Sequence, residues 1–313
     1  MPKPAVVLFN MGGPTSLFEV EGFLKNLFSD PNILSIKSSF LRTTLANFIT
    51  NKRLEESKKM YQAIGGSSPI VSHTFALTEL LNSLDTEHSY TYCMRYSPPF
   101  AKDVFKDLQQ KGIDSIILFS MYPQYSFTTT KSSLLDIHAA LKELKFTPKI
   151  RVIERYFSHL AYNELILNRI LQALNGKNPN EYTLLFSTHA IPQATVKKGD
   201  NYPTECAQNV DTFIQIAKQK GIEFRKVLLS FQSKIGPVKW TTPTTKDTIK
   251  TLSGQKVVVF PLAFTIDNSE TDYELSIDYA NLAKQSGLSD YIVVRCFNAE
   301  QDFAKFIIEM IQS

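Results

Sequence analysis

The chain has 313 residues, of which 43% are hydrophobic and 20% charged, and its formal net charge is +4 at pH 7. This length can bury a substantial core and corresponds to one large or two ordinary domains. The mild positive charge, with no clustered basic stripe, does not indicate nucleic-acid binding but is compatible with an acidic ligand or an anionic membrane surface.

Apolar stretches such as Val257–Phe264 are far shorter than the roughly twenty residues of a membrane span. The first residues lack the layout of a signal peptide, because their apolar run is short and leads into a Gly-Gly turn. Cys93, Cys206 and Cys296 are widely separated and do not indicate a disulfide framework or a metal-binding CxxC pair. These features predict a soluble cytoplasmic protein.

Short apolar runs rich in β-branched residues alternate with longer helical patterns along the chain. Such runs are typical of parallel strands covered on both faces. The predicted strands are Ala5–Asn10, Tyr90–Tyr96, Ser115–Met121, Lys149–Tyr156, Tyr182–Thr188, Lys226–Gln232, Lys256–Phe264 and Tyr291–Phe297.

A polar linker, Leu174–Tyr182, divides these strands four and four. We therefore predict an α/β fold of two similar Rossmann-like domains, residues 1–175 and residues 176–313. Each domain should contain a four-stranded parallel sheet flanked by helices. In such sheets ligands bind beyond the carboxyl ends of the strands, where the unusual residues of this chain are found.

The first strand ends in the motif NMGGPTS, Asn10–Ser16. Its two glycines permit a sharp turn or a close approach to a ligand, but neither a dinucleotide fingerprint nor a P-loop is present. A plain turn and a ligand loop are equally compatible with this motif.

Aromatic residues, an arginine and hydroxyl groups follow later strands, in Met94–Phe100 and Ser120–Thr130. With Trp240 and Phe264 they indicate a broad, partly apolar ligand that carries anionic groups, because arginine pairs well with carboxylates. Ordinary aromatic packing is the alternative for each of them. The amphipathic segment Leu17–Leu27 is expected to pack on the core, with contact to a membrane or an apolar substrate as the alternative.

His189 lies just past the fifth predicted strand, where Pro192 prevents a helix from starting at once. A neutral imidazole in this place can bind a metal or transfer a proton near neutral pH. A hydrogen-bonded structural histidine is an equal alternative. The remaining histidines have no such setting and are predicted to be surface or packing residues: His73, His88, His138 and His159.

The segment Phe260–Tyr279 begins as an apolar strand and continues with a row of carboxylates. A helix that begins near Asn268 would place four acids on one face, where like charges repel: Asp267, Glu270, Glu274 and Asp278. Helix capping and the macrodipole explain the acids of the first turn but not the later two. Oxygen ligands with one imidazole suit a divalent metal held loosely or in transit.

Taken together, these motifs resemble the ferrochelatases, enzymes that insert ferrous iron into a porphyrin in the last steps of haem synthesis. The resemblance runs from Val6 to about Asn298 and rests on NMGGP, IGGSSPI, MRYSPPF, YPQYS, STHAIP, GDNYPTEC, FQSKIGPVKW and DNSETDYE. It implies two similar four-stranded sheets, with a cleft between the domains for the macrocycle.

The resemblance implies three catalytic residues. His189 matches a histidine proposed to take pyrrole protons or bind the metal, and Glu270 matches the carboxylate that faces it; these two are the predicted metal ligands. Glu274 matches the next acid on a proposed metal or proton path, and Asp267 an acid adjoining the site. Tyr273 lies between the two glutamates. A π-type turn in the family's helix would change the register assumed above.

The resemblance also implies the residues that line the porphyrin pocket or lie near the propionates. They are Met11, Arg53, Tyr61, Ser68, Arg95, Tyr96, Ile235, Trp240 and Phe264.

Three departures from the family pattern bear on the chemistry. Asn268 stands where many relatives have His or Cys, so one potential metal ligand is absent and the metal preference is open. Asp272 stands where an apolar residue is commoner. The chain ends without the cysteine-bearing extension of some relatives, so Fe²⁺ is expected as a substrate, with no permanently bound cofactor and no iron–sulfur cluster.

The resemblance thus predicts a lyase that inserts Fe²⁺ into protoporphyrin IX. The motifs FQSKIGPVKW and GDNYPTEC favour this porphyrin over coproporphyrin III. A cobalt or nickel chelatase of the same fold and a non-catalytic porphyrin or haem carrier are alternatives, and the acidic row argues against the carrier. The expected partners are the porphyrin and ferrous iron, without nucleic acid. Peripheral membrane contact at Leu17–Leu27 is the alternative to a wholly cytoplasmic location, and the oligomeric state is not indicated.

Overall fold

The eight predicted strands are all present in the computed structural model, which describes residues 3–234, 236 and 238–312. In chain order, β1 to β8 are Ala5–Asn10, Ser89–Met94, Ser115–Ser120, Lys149–Ile153, Tyr182–His189, Lys226–Gln232, Lys256–Pro261 and Asp290–Val293. The central strands are apolar throughout because helices cover both faces; Val257, Val258 and Val259 of β7, for example, are fully buried.

Helices connect successive strands. In chain order, α1 to α11 are Val20–Ser29, Ser39–Ala63, Ile70–Leu84, Ala101–Gln110, Ser132–Leu144, Leu160–Leu174, Gln193–Lys197, Tyr202–Gln219, Thr245–Lys250, Tyr279–Gln285 and Gln301–Gln312. Two π-helices, Phe127–Lys131 and Glu270–Asp278, and two 3₁₀ turns, Leu17–Glu19 and Pro179–Glu181, complete the helical elements of the described residues.

The strands form two parallel four-stranded sheets with the same strand order, β2-β1-β3-β4 and β6-β5-β7-β8. The predicted fold class of two similar four-stranded α/β units is therefore confirmed. In the first sheet β2 and β3 lie on opposite sides of β1, and in the second sheet β6 and β7 lie on opposite sides of β5. The strands β1 and β5 therefore mark topological switch points. The carboxyl ends of such strands are where α/β proteins bind their ligands.

The chain divides into two compact units. Unit 1 contains the chain up to Tyr122, the segment Ser126–Glu154 and the segment from Asn298 onwards. Unit 2 contains Pro123–Tyr125 and Arg155–Phe297. The short segment joins unit 2 because Gln124 Nε2 donates hydrogen bonds to Asn209 Oδ1, at 2.7 Å, and to the carbonyl of Leu262, at 3.2 Å.

These units differ from the predicted segments, residues 1–175 and residues 176–313, at two helices. Helix α6 packs against α8 and so belongs with the second sheet, although it precedes the predicted boundary. Helix α11 packs on α3 and so belongs with the first sheet. Polar composition marks a loop such as 174–182, but it does not reveal which sheet a neighbouring helix covers.

The core of unit 2 holds the second π-helix against its sheet. Leu275, inside that helix, is fully buried and packs with Val257 and Val259 of β7 and with Leu185 of β5. Tyr279 belongs to the same cluster and is 5% exposed. Burial of these two side chains fixes the helix that carries the predicted acidic row.

Candidate active site

Four polar side chains meet at the carboxyl end of the second sheet. His189 is the last residue of β5 and stands in register with Gln232, the last residue of β6. Ser233 follows β6, and Glu270 is the first residue of the π-helix that follows β7. Since β5 marks the switch point of this sheet, the cluster occupies the place where ligands are expected to bind.

The predicted pair of His189 and Glu270 is in direct contact. The Nδ1 atom of His189 lies 3.0 Å from Glu270 Oε2, and the two side chains are 35% and 19% exposed. Burial favours the neutral imidazole, but the charges of Glu270 and Glu274 and the hydrogen bond outweigh it and raise the pKa of His189.

Burial acts on Glu270 in the opposite sense, since it would raise the pKa of the carboxyl group. The imidazole of His189 and hydrogen bonds from Ser233 and Gln232 outweigh burial, so the pKa of Glu270 is lowered. The site thus holds this carboxylate ionised beside a basic imidazole.

Ser233 joins Glu270 to the next acid of the row. Its hydroxyl lies 2.9 Å from Glu270 Oε2 and is in short contact with Glu274 Oε2, and its backbone N–H donates to Glu274 Oε1 at 3.0 Å. Its φ of +65° lies in the left-handed region that favours glycine, so this serine is held in a strained conformation at the site.

The Ser233 hydroxyl brings the two carboxyl groups close together, so the charge of one disfavours ionisation of the other. Burial and the neighbouring charge of Glu270 raise the pKa of Glu274, although hydrogen bonds from Ser233 and Tyr279 oppose this. The two acids therefore differ in acidity: the surroundings lower the pKa of Glu270 and raise that of Glu274.

A side-chain turn at Asn268 sets the start of the π-helix. Asn268 Oδ1 accepts a hydrogen bond from the backbone N–H of Glu270 at 2.8 Å, and its Nδ2 donates to the carbonyl of Ile266 at 3.2 Å. Asn268 is buried and is occupied by the backbone, so it acts here as a capping residue rather than as a replacement metal ligand.

Fewer acids share one helix face than an α-helix beginning near Asn268 would place there. Asp267 does not join it, because the structure holds its carboxylate against Arg295 and the backbone N–H of Cys296. The expectation of four acids on one face is therefore wrong for Asp267. Glu270 and Glu274 do share a face, and Asp278 lies at the exposed end of the same helix.

The arrangement offers one imidazole nitrogen and carboxylate oxygens, a set that suits a divalent cation and proton transfer. Over residues 3–234, 236 and 238–312, the His, Cys, Asp and Glu side chains form no group of three or more that could hold a metal ion. One imidazole and one carboxylate in contact are fewer donors than the four of a closed structural metal site.

The Gly-Gly turn after β1 is a packing feature. Gly12 has a φ of +83°, and a side chain there would collide with Ser97 Oγ, while a side chain at Gly13 would meet Ser68 Cβ at 2.6 Å. The backbone N–H of Gly13 donates to Ser97 Oγ at 3.0 Å. Glycine is needed at these two positions because serine side chains pack closely on both.

The substrate-binding residues predicted in unit 1 differ in accessibility. Tyr61, Ser68 and Tyr96 are buried, whereas Met11 and Arg53 are partly buried. Tyr61 and Tyr96 belong to the apolar cluster formed with α1 and α2, against which Met11 also packs.

Arg95 is the centre of a polar network that the sequence did not indicate. Its guanidinium lies 3.0 Å from Asp30 Oδ2 and 3.5 Å from Asp136 Oδ1, and its Nε donates to Ser132 at 3.0 Å. The hydroxyl of Tyr96 also donates to Asp30, at 2.8 Å. These acids are separated from Arg95 by tens of residues in the sequence, so no local pattern could reveal them.

In unit 2, Trp240 and Phe264 are partly buried. Trp240 forms an isolated antiparallel bridge with Pro192, just after His189 in the chain. Phe264 packs on the apolar cluster that contains Ile191 and Tyr202. Ile235 lies outside the described residues.

Comparison with known proteins identifies close relatives over the whole chain. A family model described as ferrochelatase matches residues 3–313. A ferrochelatase of Helicobacter pylori strain J99 is 50% identical over 313 residues, which is 100% of this chain and 93% of that protein. A ferrochelatase of Wolinella succinogenes is 47% identical over 309 residues, covering 99% of this chain and 98% of that protein.

A solved structure has the same fold at low sequence identity. It is SirB from Bacillus subtilis with Fe³⁺, which matches with a TM-score of 0.60 and 9% identity over 99% of this chain and 94% of that one. This likeness concerns the arrangement of sheets and helices alone.

Proposed function

Because this chain belongs to the ferrochelatase family, whose members are metal-chelating lyases of haem synthesis, we propose that it inserts Fe²⁺ into protoporphyrin IX. The reaction consumes one ferrous ion and one free-base porphyrin and releases two protons from the pyrrole nitrogens. The cluster of His189, Glu270 and Ser233 at the carboxyl end of the second sheet is the observation that carries this proposal.

His189 is the acceptor of the pyrrole protons. With Nδ1–H donating to Glu270, its Nε2 atom keeps a lone pair that can take a proton. The Glu270 carboxylate orients the ring and stabilises the imidazolium that forms, so it makes proton transfer more favourable. The same two side chains can ligate the incoming Fe²⁺ before it enters the macrocycle.

Ser233 and Glu274 provide an onward route for the protons. The Ser233 hydroxyl contacts both carboxyl groups, and the hydroxyl of Tyr279 donates to Glu274 Oε1 at 2.6 Å. The helix then reaches the exposed Asp278. Protons can pass along such a row of side chains to solvent, and a cation can travel in the opposite sense.

The decisive experiment is anaerobic insertion of Fe²⁺, with Zn²⁺ as a surrogate, into protoporphyrin IX and coproporphyrin III, followed by porphyrin absorbance. The His189→Ala protein is measured in parallel. We expect insertion by the wild type, none by the variant, and a faster reaction with protoporphyrin IX. A faster reaction with coproporphyrin III would assign the other porphyrin.

Two other results would redirect the assignment. Insertion of cobalt or nickel into a different tetrapyrrole, with no iron insertion, would indicate a sibling chelatase. Tight porphyrin binding without insertion of any metal would indicate a carrier. The absence of a bound cofactor and of an iron–sulfur cluster stays a prediction, checked by metal analysis of the purified protein.

We also propose peripheral membrane contact through one face of α2. In the predicted segment Leu17–Leu27, Val20, Phe23 and Leu24 are buried in the core, whereas Phe18 is 97% exposed. Four further large apolar side chains are exposed on α2: Phe40, Leu41, Leu45 and Phe48.

These four side chains fall within one sector of the helix. The exposed Lys37 precedes the helix, and the exposed Lys52 lies near its middle, one turn beyond Phe48. Exposed apolar side chains flanked by lysines are typical of helices that lie on an anionic bilayer. Such contact would suit a cytoplasmic enzyme with an apolar substrate. No helix in the described parts of the chain is both long enough and apolar enough to cross a membrane.

Vesicle sedimentation tests this contact. We expect the protein to bind vesicles of phosphatidylcholine with phosphatidylglycerol more strongly than phosphatidylcholine alone, and the double variant F40S/F48S to lose this binding. The matched control is Phe75→Ser, which removes an exposed aromatic ring from α3. Equal binding by the double variant and the wild type would exclude α2 as the contact.

A further inference from the structure

A single arginine binds two acids that lie on either side of Glu270 in the sequence. Arg295 follows β8, and its Nε lies 2.9 Å from Asp267 Oδ2 while its Nη1 lies 2.6 Å from Asp272 Oδ1. Asp267 precedes Glu270 by three residues and Asp272 follows it by two. The guanidinium therefore connects the loop before the π-helix to the first turn of that helix.

The carboxylate of Asp267 is buried, although its partner Arg295 is partly exposed. The Asp267 side chain is 0% exposed, and its other oxygen accepts a hydrogen bond from the backbone N–H of Cys296 at 3.1 Å. A carboxylate taken out of water requires a cation or several donors, so the charge of Arg295 stabilises this one. The planar guanidinium can serve both acids at once, which a lysine does less well.

The segment that carries Arg295 is itself held in place. Arg169 of α6 donates hydrogen bonds to the carbonyl of Arg295, at 3.2 Å, and to the carbonyl of Cys296, at 3.1 Å. The guanidinium of Arg295 thus projects from an anchored stretch of backbone rather than from a free loop.

Asp272 and Glu270 point to opposite sides of the helix. Residues two positions apart do not share a helix face, and Glu270 and Glu274 are both turned towards Ser233. Asp272 is turned towards Arg295 instead. The ion pair between Arg295 and Asp272 therefore lies on the side of the helix away from Glu270. It fixes the rotation of the first helical turn without occupying the face that carries Glu270 and Glu274.

We infer that Arg295 is a positioning residue that holds Glu270 against His189 by binding Asp267 and Asp272 on either side of it. This inference rests on the proposed function only where it concerns kcat for metal insertion. It also gives Asp272 a role, as the second partner of Arg295.

The test compares Arg295→Met with Arg295→Lys and with the control Lys177→Met. Lys177 pairs at 2.8 Å with Asp290, the first residue of β8, so the control removes a more exposed ion pair at the other end of that strand. We expect kcat for metal insertion to fall about tenfold or more in Arg295→Met, because misplacement of a reacting group is costly. The KM for porphyrin should stay within about twofold, since Arg295 acts through Glu270. Arg295→Lys should recover part of kcat, and Lys177→Met should match the wild type.

A second variant covers the case in which Arg295→Met does not fold. The double variant D267N/R295M removes the buried charge together with its cation, so it should fold yet keep the low kcat. A kcat equal to that of the wild type in either variant would overturn the inference, as would an equal loss in Lys177→Met.

A readout without catalysis separates this inference from the proposed function. In ¹⁵N spectra of the metal-free protein, the ring nitrogens of His189 should shift in Arg295→Met and not in Lys177→Met. If the wild type inserts no metal but this shift occurs, the proposed function fails and the positioning role stands. Unchanged His189 signals in Arg295→Met would overturn the positioning role whatever the activity.

Discussion

Glu270 accepts hydrogen bonds from three side chains that lie far from it in the sequence, one of them the amide of Gln232 at 3.3 Å. The ring of His189 and the hydroxyl of Ser233 both contact its Oε2 atom, at 3.0 Å and 2.9 Å. A carboxylate held by several donors stays ionised although it is largely buried. Its negative charge, rather than its size, is therefore what the site requires.

The variant Glu270→Gln tests this requirement, because glutamine keeps the size of the side chain and removes the charge. We expect kcat for metal insertion to fall about 10²-fold or more, the usual scale for an acid–base group, while the porphyrin Kd changes less than about twofold. Stopped-flow absorbance and fluorescence titration measure the two quantities. The control is Glu223→Gln, which makes the same replacement at an exposed position before β6. Unchanged turnover in Glu270→Gln would remove Glu270 from the mechanism.

The pKa of His189 offers a second residue-scale prediction. Burial lowers this pKa, but the negative charges of Glu270 and Glu274 favour the imidazolium and raise it overall. Loss of the Glu270 charge should therefore lower the pKa of His189, so the ring loses its proton at lower pH in Glu270→Gln. NMR titration of the metal-free proteins measures the shift, with Glu223→Gln as control. A pKa that stays the same or rises in Glu270→Gln would contradict the pairing.

At the scale of elements, the strands could be predicted because burial on both faces leaves a simple pattern. The run Val257, Val258 and Val259 has no polar interruption, and the structure places it at the centre of its sheet. The π-helix Phe127–Lys131 could not be predicted, since its shift in hydrogen bonding has no periodic apolar pattern. For Glu270–Asp278, only the family resemblance indicated a π-type turn.

The cap at Asn268 allows a prediction about the stability of the π-helix Glu270–Asp278. Asn268→Ala removes the acceptor for the backbone N–H of Glu270, so the free energy of unfolding should fall by about 1 kcal/mol. Asn268→Ser keeps a side-chain oxygen that can cap the same group and should retain most of the stability. Urea unfolding measures both variants. Equal stability of Asn268→Ala and the wild type would show that the cap is not needed.

For the whole molecule, the residues that the family motifs single out could be predicted, whereas their partners could not. His189 and Glu270 were paired from a resemblance, and the structure brings them together. Arg295 supports the same site, yet it lies 28 residues after Asp267 in sequence and follows an ordinary strand. Asp30 likewise meets Ser132 only through the fold. Contacts between distant segments depend on the packing of several elements, and no single local pattern records them.

The buried Asp30 allows a prediction of how the stability of the whole chain changes at low pH. Its side chain is fully buried and accepts hydrogen bonds from Arg95, Tyr96 and Ser132. Burial alone would raise the pKa of this carboxyl group, but the hydrogen bonds from Ser132 and Asn32 and the charge of Arg95 outweigh it, so the pKa is lowered.

A group whose pKa is lower in the folded state stabilises the protein above its unfolded pKa, near 4, and this contribution is lost as the pH falls through the folded pKa. Asp30→Asn should therefore cost about 3 kcal/mol or more of unfolding free energy at pH 7, because Arg95 loses a buried partner. Below about pH 4 the difference from the wild type should shrink, as the wild-type carboxylate is protonated too. Urea unfolding over this pH range measures the difference, with the exposed Asp103→Asn as control. A difference that stays constant down to pH 2 would show that Asp30 is not ionised in the folded protein.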